Sequence, residues 1–160
     1  MSKKGADDKT NVMRLAESAG VTFRDYAYDN TLLNAEQVAS ALGQSADRVF
    51  KTLVTMAKSG KYYVFMLPAP AQLDLKKASK AAGEKSVEMI PQKQLFPLTG
   101  YVHGGCSPIG MKRQFPTFID ETAILYDTIF FSAGKVGRQI EMSLKDLRKI
   151  MQVGIAELTR

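Results

Sequence analysis

Hydrophobic positions along the chain follow two different periods, and the changes between them mark out the elements. Val12, Met13, Leu15 and Ala16 form an apolar stripe at helical spacing, with Thr10 as a candidate N-cap and Gly20 near the stop. Residues 21–28 read as a strand whose bulky members are Val21, Phe23, Tyr26 and Tyr28. Asn34 and Gln37 form a capping box for a helix over residues 35–42, ended by Gly43. Apolar-rich runs at 49–57 and 61–67 flank Ser59-Gly60, which predicts a β-hairpin closed by Pro68 and Pro70.

The second half is more broken. Leu73, Leu75, Ala78 and Ala82 space as a helix, with Asp74 as candidate N-cap and Gly83 as its stop. Residues 86–90 read as a short strand, and Pro91 opens another helical turn. Residues 99–116 are rich in Gly, Ser and Pro and read as an irregular connection. Strands are predicted at 117–120, 128–132 and 139–142, and Ser143 caps a closing helix over 144–151. Strands and helices mix without regular βαβ alternation, which predicts the α+β class. A length of 160 residues fits one domain. Residues 1–9 read as a flexible polar tail and 10–160 as the folded domain.

Composition narrows the chemistry. There is one cysteine, Cys106, and one histidine, His103. An intrachain disulfide and a cysteine zinc site are excluded, and a conventional nucleophile–histidine site would have to use His103. The apolar runs fall well short of the roughly 20 residues that cross a bilayer. The polar N-terminus carries no apolar stretch behind its charges, so the expected location is the cytoplasm, without membrane attachment. Net charge is +6, and residues 71–113 hold seven basic and three acidic groups. Such a concentration attracts polyanions, though lysines on a solvated helix face would read the same way. Lys76, Lys77 and Lys80 lie at spacings that put at least two on one helix face, where they are candidates to meet nucleic-acid phosphates.

Three segments carry candidate chemistry. Lys51, in Phe50-Lys51-Thr52, opens an apolar strand and shares a face with Leu53, so its ammonium is a candidate for an anion or a polarised carbonyl. The run from Gly100 to Gly110 contains Gly104-Gly105, which lets a ligand approach backbone N–H groups that can hold a carbonyl or an oxyanion. It is neither a phosphate-binding Walker loop nor a dinucleotide fingerprint. Residues 132–137 join two predicted strands; Ser132 and the Gly134 amide are within a glycine turn that can reach the same ligand. Nothing in the sequence activates Cys106 as a nucleophile.

Taken in order, Phe50-Lys51-Thr52-Leu53, Gln72 to Lys77, Val87-Glu88-Met89, Thr99-Gly100-Tyr101, Gly104 to Gly110 and Ser132 to Gly137 resemble the YbaK family of Cys-tRNA(Pro) deacylases, over about residues 11–156. The resemblance implies a mixed, partly barrel-like sheet flanked by helices. It implies a trans-editing enzyme that removes cysteine from tRNA mischarged by prolyl-tRNA synthetase, with aminoacyl-tRNA as partner and no metal or other cofactor. No DNA is implied. The family lysine matches Lys51, and the glycine loop matches Gly104, Gly105, Ser107 and Pro108. A strand tyrosine matches Tyr28. The resemblance therefore assigns catalysis to Lys51, Gly104 and Gly105, and substrate contact to Tyr28, Phe50, Thr52, Ser107, Pro108, Ser132 and Gly134. An aspartate common in the family falls at Gln139 here. The implied mechanism uses the cysteinyl thiol itself, which attacks its own ester and leaves as a thiolactone. An alanyl-tRNA(Pro) deacylase of the same fold, and a non-catalytic module that binds tRNA or a synthetase, are the alternatives.

Overall fold

The computed structural model describes residues 9–32 and 34–160. The described residues form five α-helices and eight strands. These are α1 (Asn11–Ser18), β1 (Arg24–Ala27), α2 (Ala35–Ala41), β2 (Phe50–Ala57), β3 (Tyr62–Pro68), α3 (Leu75–Ala82) and β4 (Val87–Met89), followed by α4 (Leu95–Thr99), β5 (Thr117–Asp120), β6 (Ile129–Ser132), β7 (Arg138–Met142), α5 (Leu144–Ile150) and β8 (Gly154–Ala156). Apart from Lys9, the predicted tail lies outside the described residues. Lys9 itself pairs with Glu17 at 2.7 Å.

Local signals set most boundaries. Thr10 accepts from the Met13 amide, the Asn34–Gln37 capping box is reciprocal, and Asp74 accepts from the Lys76 and Lys77 amides. Gly83 ends α3 in the left-handed conformation at φ 72°, which its missing Cβ permits. β2 and β3 form the expected antiparallel hairpin, with Val54 opposite Val64.

Five strands in the order β4-β2-β3-β5-β8 make the larger sheet, and β1-β7-β6 make the smaller one. Pairings are antiparallel except β3–β5 and β5–β8, so the larger sheet is mixed. A parallel bridge between Val49 and Phe130 links the two sheets; the described strands do not close into a barrel. β3 is buried on both faces, which explains its unbroken apolar run. Tyr63, Phe65 and Leu67 pack with Ala78 of α3 and with Leu158. Met66 packs on the other side with α1, β6, β7 and Leu147 of α5. Burying a side chain such as Phe65 or Leu67 contributes roughly 1.5–3 kcal/mol.

Two features were not read from the sequence. β8 is three residues long and pairs with β5, held by buried Asp120, whose Oδ1 accepts from the Leu158 amide at 2.9 Å. A short 3₁₀ helix follows β5 at Glu121–Leu125. β1 is also shorter than predicted, because backbone pairing with β7 spans only Arg24 to Ala27.

Candidate functional site

Between the two sheets lies a cavity of about 650 Å³. β2 supplies Phe50, Lys51, Thr52 and Leu53 to its lining, and the segment after β1 supplies Tyr28. Glu36 comes from the first turn of α2, Leu95 from α4, and His103, Gly104 and Cys106 from the glycine-rich connection. Ser132 and Gln139 face each other across the β6–β7 ladder and both line the cavity.

Lys51 is the cation of the lining. Its Nζ donates to the Ala69 carbonyl at 3.0 Å. Partial burial pulls its pKa below the usual 10.5, against the opposing pull of the Glu36 carboxylate. Thr52 Oγ1 and Gln139 Oε1 are buried and have no hydrogen-bond partner in the protein. A buried polar atom without a partner is costly, so each of these lining residues gains from a partner that the protein itself does not supply.

The glycine-bearing segments are different. Gly104 lines the cavity at φ +87°, a conformation that suits glycine. The Gly105 amide donates to the Val102 carbonyl at 2.9 Å, and a Cβ on Gly105 would stand 2.9 Å from Val136 N. Gly105 therefore lets two stretches of backbone meet, and its N–H is already bonded. Ser107 is fully buried behind the cavity, and its Oγ accepts from the Ile109 amide at 3.3 Å. Pro108 is buried beside it. Ser132 Oγ accepts from the Gly134 amide at 3.1 Å, which closes the turn between β6 and β7.

Cys106 is buried, and burial pushes its thiol up to about 12. It is neutral near pH 7, so it is no ready nucleophile. His103 is exposed at the rim. Among the described residues no group of three or more His, Cys, Asp or Glu is placed to hold a metal ion. No helix among them is long and apolar enough to cross a membrane.

Of the residues singled out by sequence, Tyr28, Phe50, Lys51, Thr52, Gly104 and Ser132 line this one cavity. Gly105, Ser107, Pro108 and Gly134 are absent from its lining. Lys76, Lys77 and Lys80 sit on α3, also outside it, and Lys77 is tied to Glu157 at 2.7 Å and to the Thr159 carbonyl.

A family model described as the aminoacyl-tRNA editing domain matches residues 29–150. The chain belongs to that family. This editing domain is 45% identical to EbsC of Enterococcus faecalis, named as a candidate Cys-tRNA(Pro)/Cys-tRNA(Cys) deacylase, over 99% of the chain and 98% of the relative. Its fold matches the crystal structure of hypothetical protein APE2540 with a TM-score of 0.86, at 20% identity, over 94% of this chain and 100% of that one. It also matches a candidate trans-editing enzyme for prolyl-tRNA synthetase with a TM-score of 0.80, at 21% identity, over 96% and 99%. The resemblance read from the motifs and the α+β class both stand.

Glu36 and the open side of Gln139 were not read as site features of the editing domain. Glu36 looked like an ordinary acidic residue in a helix's first turn. Gln139 carried a weak signal at most: β7 reads Arg138-Gln139-Ile140-Glu141-Met142, so a polar residue there does not stand out.

Proposed function

We propose that this editing domain deacylates cysteinyl-tRNA, Cys-tRNA(Pro) first, with the cysteinyl thiol as nucleophile. The observation that carries the reading is that Lys51, Thr52 and Gln139, the last two each with a polar atom that no protein group satisfies, line one cavity whose own thiol is held neutral. Such a wall binds and polarises a polar substrate without supplying an attacking group of its own. The name of the Enterococcus relative supports the cysteinyl substrate, and the second fold match supports a link to prolyl-tRNA synthetase.

In this reading the aminoacyl ester enters between β2 and the glycine wall. The substrate's Sγ loses its proton and attacks the ester carbonyl carbon. The C–S bond forms, the bond to the ribose oxygen breaks, and that oxygen takes a proton. The products are tRNA and a thiolactone, which water opens to cysteine. The Lys51 side chain offsets the charge that gathers on the carbonyl and leaving oxygens. Gln139 Oε1 accepts from the substrate's α-ammonium, and the Thr52 hydroxyl donates to an ester oxygen. Fixing thiol and carbonyl in one small ring's geometry does most of the work, since effective molarities reach roughly 10⁵–10⁸ M.

The test compares cysteinyl-, seryl- and alanyl-tRNA(Pro) as substrates, with thiolactone trapped as the first product. Cysteinyl-tRNA should be cleaved and the other two left nearly intact. Equal cleavage of alanyl-tRNA would replace the reading with an activated water, for which His103 at the rim is the available base.

A further inference from the structure

From Met89 to Ile119 the chain contains no Asp or Glu, yet it holds Lys93, Lys112 and Arg113. The fold turns this stretch into one rim of the cavity. Leu95 of α4 lines the cavity, and the next residue, Phe96, is 56% exposed. His103 and Gly104 line it as well, and their neighbour Val102 is 50% exposed. Lys112 is fixed against this rim: its amide donates to the Thr99 carbonyl at 3.0 Å, and its Nζ stands 5.3 Å from the centroid of the Phe96 ring. Lys93 and Arg113 are both exposed.

An exposed large aromatic with a lysine against it, in an acid-free stretch that carries two further exposed cations, is an unusual surface for water alone. It has the two parts that bind single-stranded nucleic acid: a ring on which an unpaired base stacks, and cations for the phosphates on either side. A base inside a duplex is already stacked and cannot use the ring.

We infer that the rim formed by Phe96, Lys93, Lys112 and Arg113 holds the unpaired 3′ end of the tRNA, with a base on Phe96 and the terminal aminoacyl-adenosine in the cavity. The inference rests on the deacylase reading, because it is the aminoacyl ester that must reach Lys51. It gives the rim, and not the lysines of α3, the task of gripping the tRNA. Lys112 lies against the ring, and Phe96 keeps 56% of its surface exposed for the base. No base identity is read, so any tRNA with an unpaired 3′ end fits this rim.

The test measures binding of uncharged tRNA by fluorescence anisotropy over a range of salt, which needs no catalysis. Phe96→Ala should weaken binding about 10-fold, the order expected for one stacked base. That loss should vanish on tRNA trimmed of its terminal CCA. Lys93→Gln/Lys112→Gln/Arg113→Gln should flatten the log–log salt slope by ~0.7–0.9 for each phosphate no longer neutralised. Lys145→Gln, an exposed lysine on α5, is the charge control and should leave the slope as it was. If the rim variants bind as the wild type does while Lys76→Gln/Lys80→Gln flattens the slope, the rim assignment is overturned and the deacylase reading survives. If the wild type binds tRNA through the rim yet leaves every aminoacyl-tRNA intact, the rim stands and the deacylase reading falls. Circular dichroism melts of each variant keep a folding defect from passing as a binding one.

Discussion

The two long walls of the cavity are built in opposite ways. On the β2–β7 side, Thr52 Oγ1 and Gln139 Oε1 are buried without a partner, and the Lys51 ammonium, with three N–H donors, gives one of them to the Ala69 carbonyl. On the glycine side, behind the lining residues Gly104 and Cys106, the Gly105 amide and the Ser107 hydroxyl are bonded within their own loop. The first wall carries the Lys51 ammonium and two polar side chains with an atom that no protein group satisfies. The second uses its hydrogen bonds to hold its own shape. A glycine-rich sequence therefore marks a joint here, and the proposed ligand contacts fall on the strand.

The sharpest break of this contrast is Lys51→Ala. Loss of one electrostatic stabiliser typically lowers turnover by roughly 10²–10³. Single-turnover deacylation of Cys-tRNA(Pro) measures it, with a thermal melt to show that the fold persists. A wild-type rate would strip the β2 wall of its assigned role.

Gly105→Ala tests the other wall. The new Cβ meets Val136 N at 2.9 Å and the Lys135 carbonyl carbon at 3.2 Å. Backbone atoms cannot step aside as a side-chain end can, so a loss of about 1–3 kcal/mol is expected, the usual range for overpacking. It should appear as a lower urea midpoint with an unchanged m-value. Full stability with greatly reduced activity would instead put Gly105 against the substrate, as its sequence setting suggests.

The same contrast explains what was legible in the sequence. Capping residues, glycine stops and the β2–β3 hairpin are local signals, and the structure keeps them at Thr10, Asn34, Asp74 and Gly83. β8 has no local signal: it is held by distant partners, Phe118 and Asp120 of β5. Lys51 was legible because a charge on an apolar strand is conspicuous. The difference between Gly104, which lines the cavity, and Gly105, which packs behind it, was not. That difference depends on the turn at Val136, which comes from another part of the chain. The lysines of α3 were legible as charge, but sequence cannot show that Lys77 is bound to Glu157.

A finer division of the β2–β7 wall comes from Thr52→Val and Gln139→Leu. Each replaces a partnerless buried polar atom with a similar apolar group. Removing such an atom is near neutral or stabilising, so the melting temperature should hold or rise. Each variant should lose about 10-fold in deacylation rate, the order of one hydrogen bond to substrate. A drop in melting temperature with full activity would mean that these atoms serve the fold and not the ligand.

The smallest effect concerns Cys106, and it appears only in alkali. Burial raises the thiol from 9.0 to about 12 in the folded chain. Below pH 9 the thiol is protonated in both folded and unfolded states, so it adds no pH dependence there. Between pH 9 and about 12 the unfolded chain releases a proton that the folded chain keeps. Stability from this group is therefore lost as pH rises through that window, by ~1.4 kcal/mol per unit. Cys106→Ala removes the effect. Urea midpoints of wild type and variant should run parallel from pH 7 to 8.5 and then converge or cross toward pH 10.5. Burial and then the Cys106 charge push Tyr101 up to about 12, so Tyr101 shares in the difference, while the other tyrosines titrate in both proteins and cancel. Two curves that stay parallel throughout would mean that the thiol reaches water. It would then be open to ionisation near neutral pH, and the case for a nucleophile carried by the substrate would lose its support from Cys106.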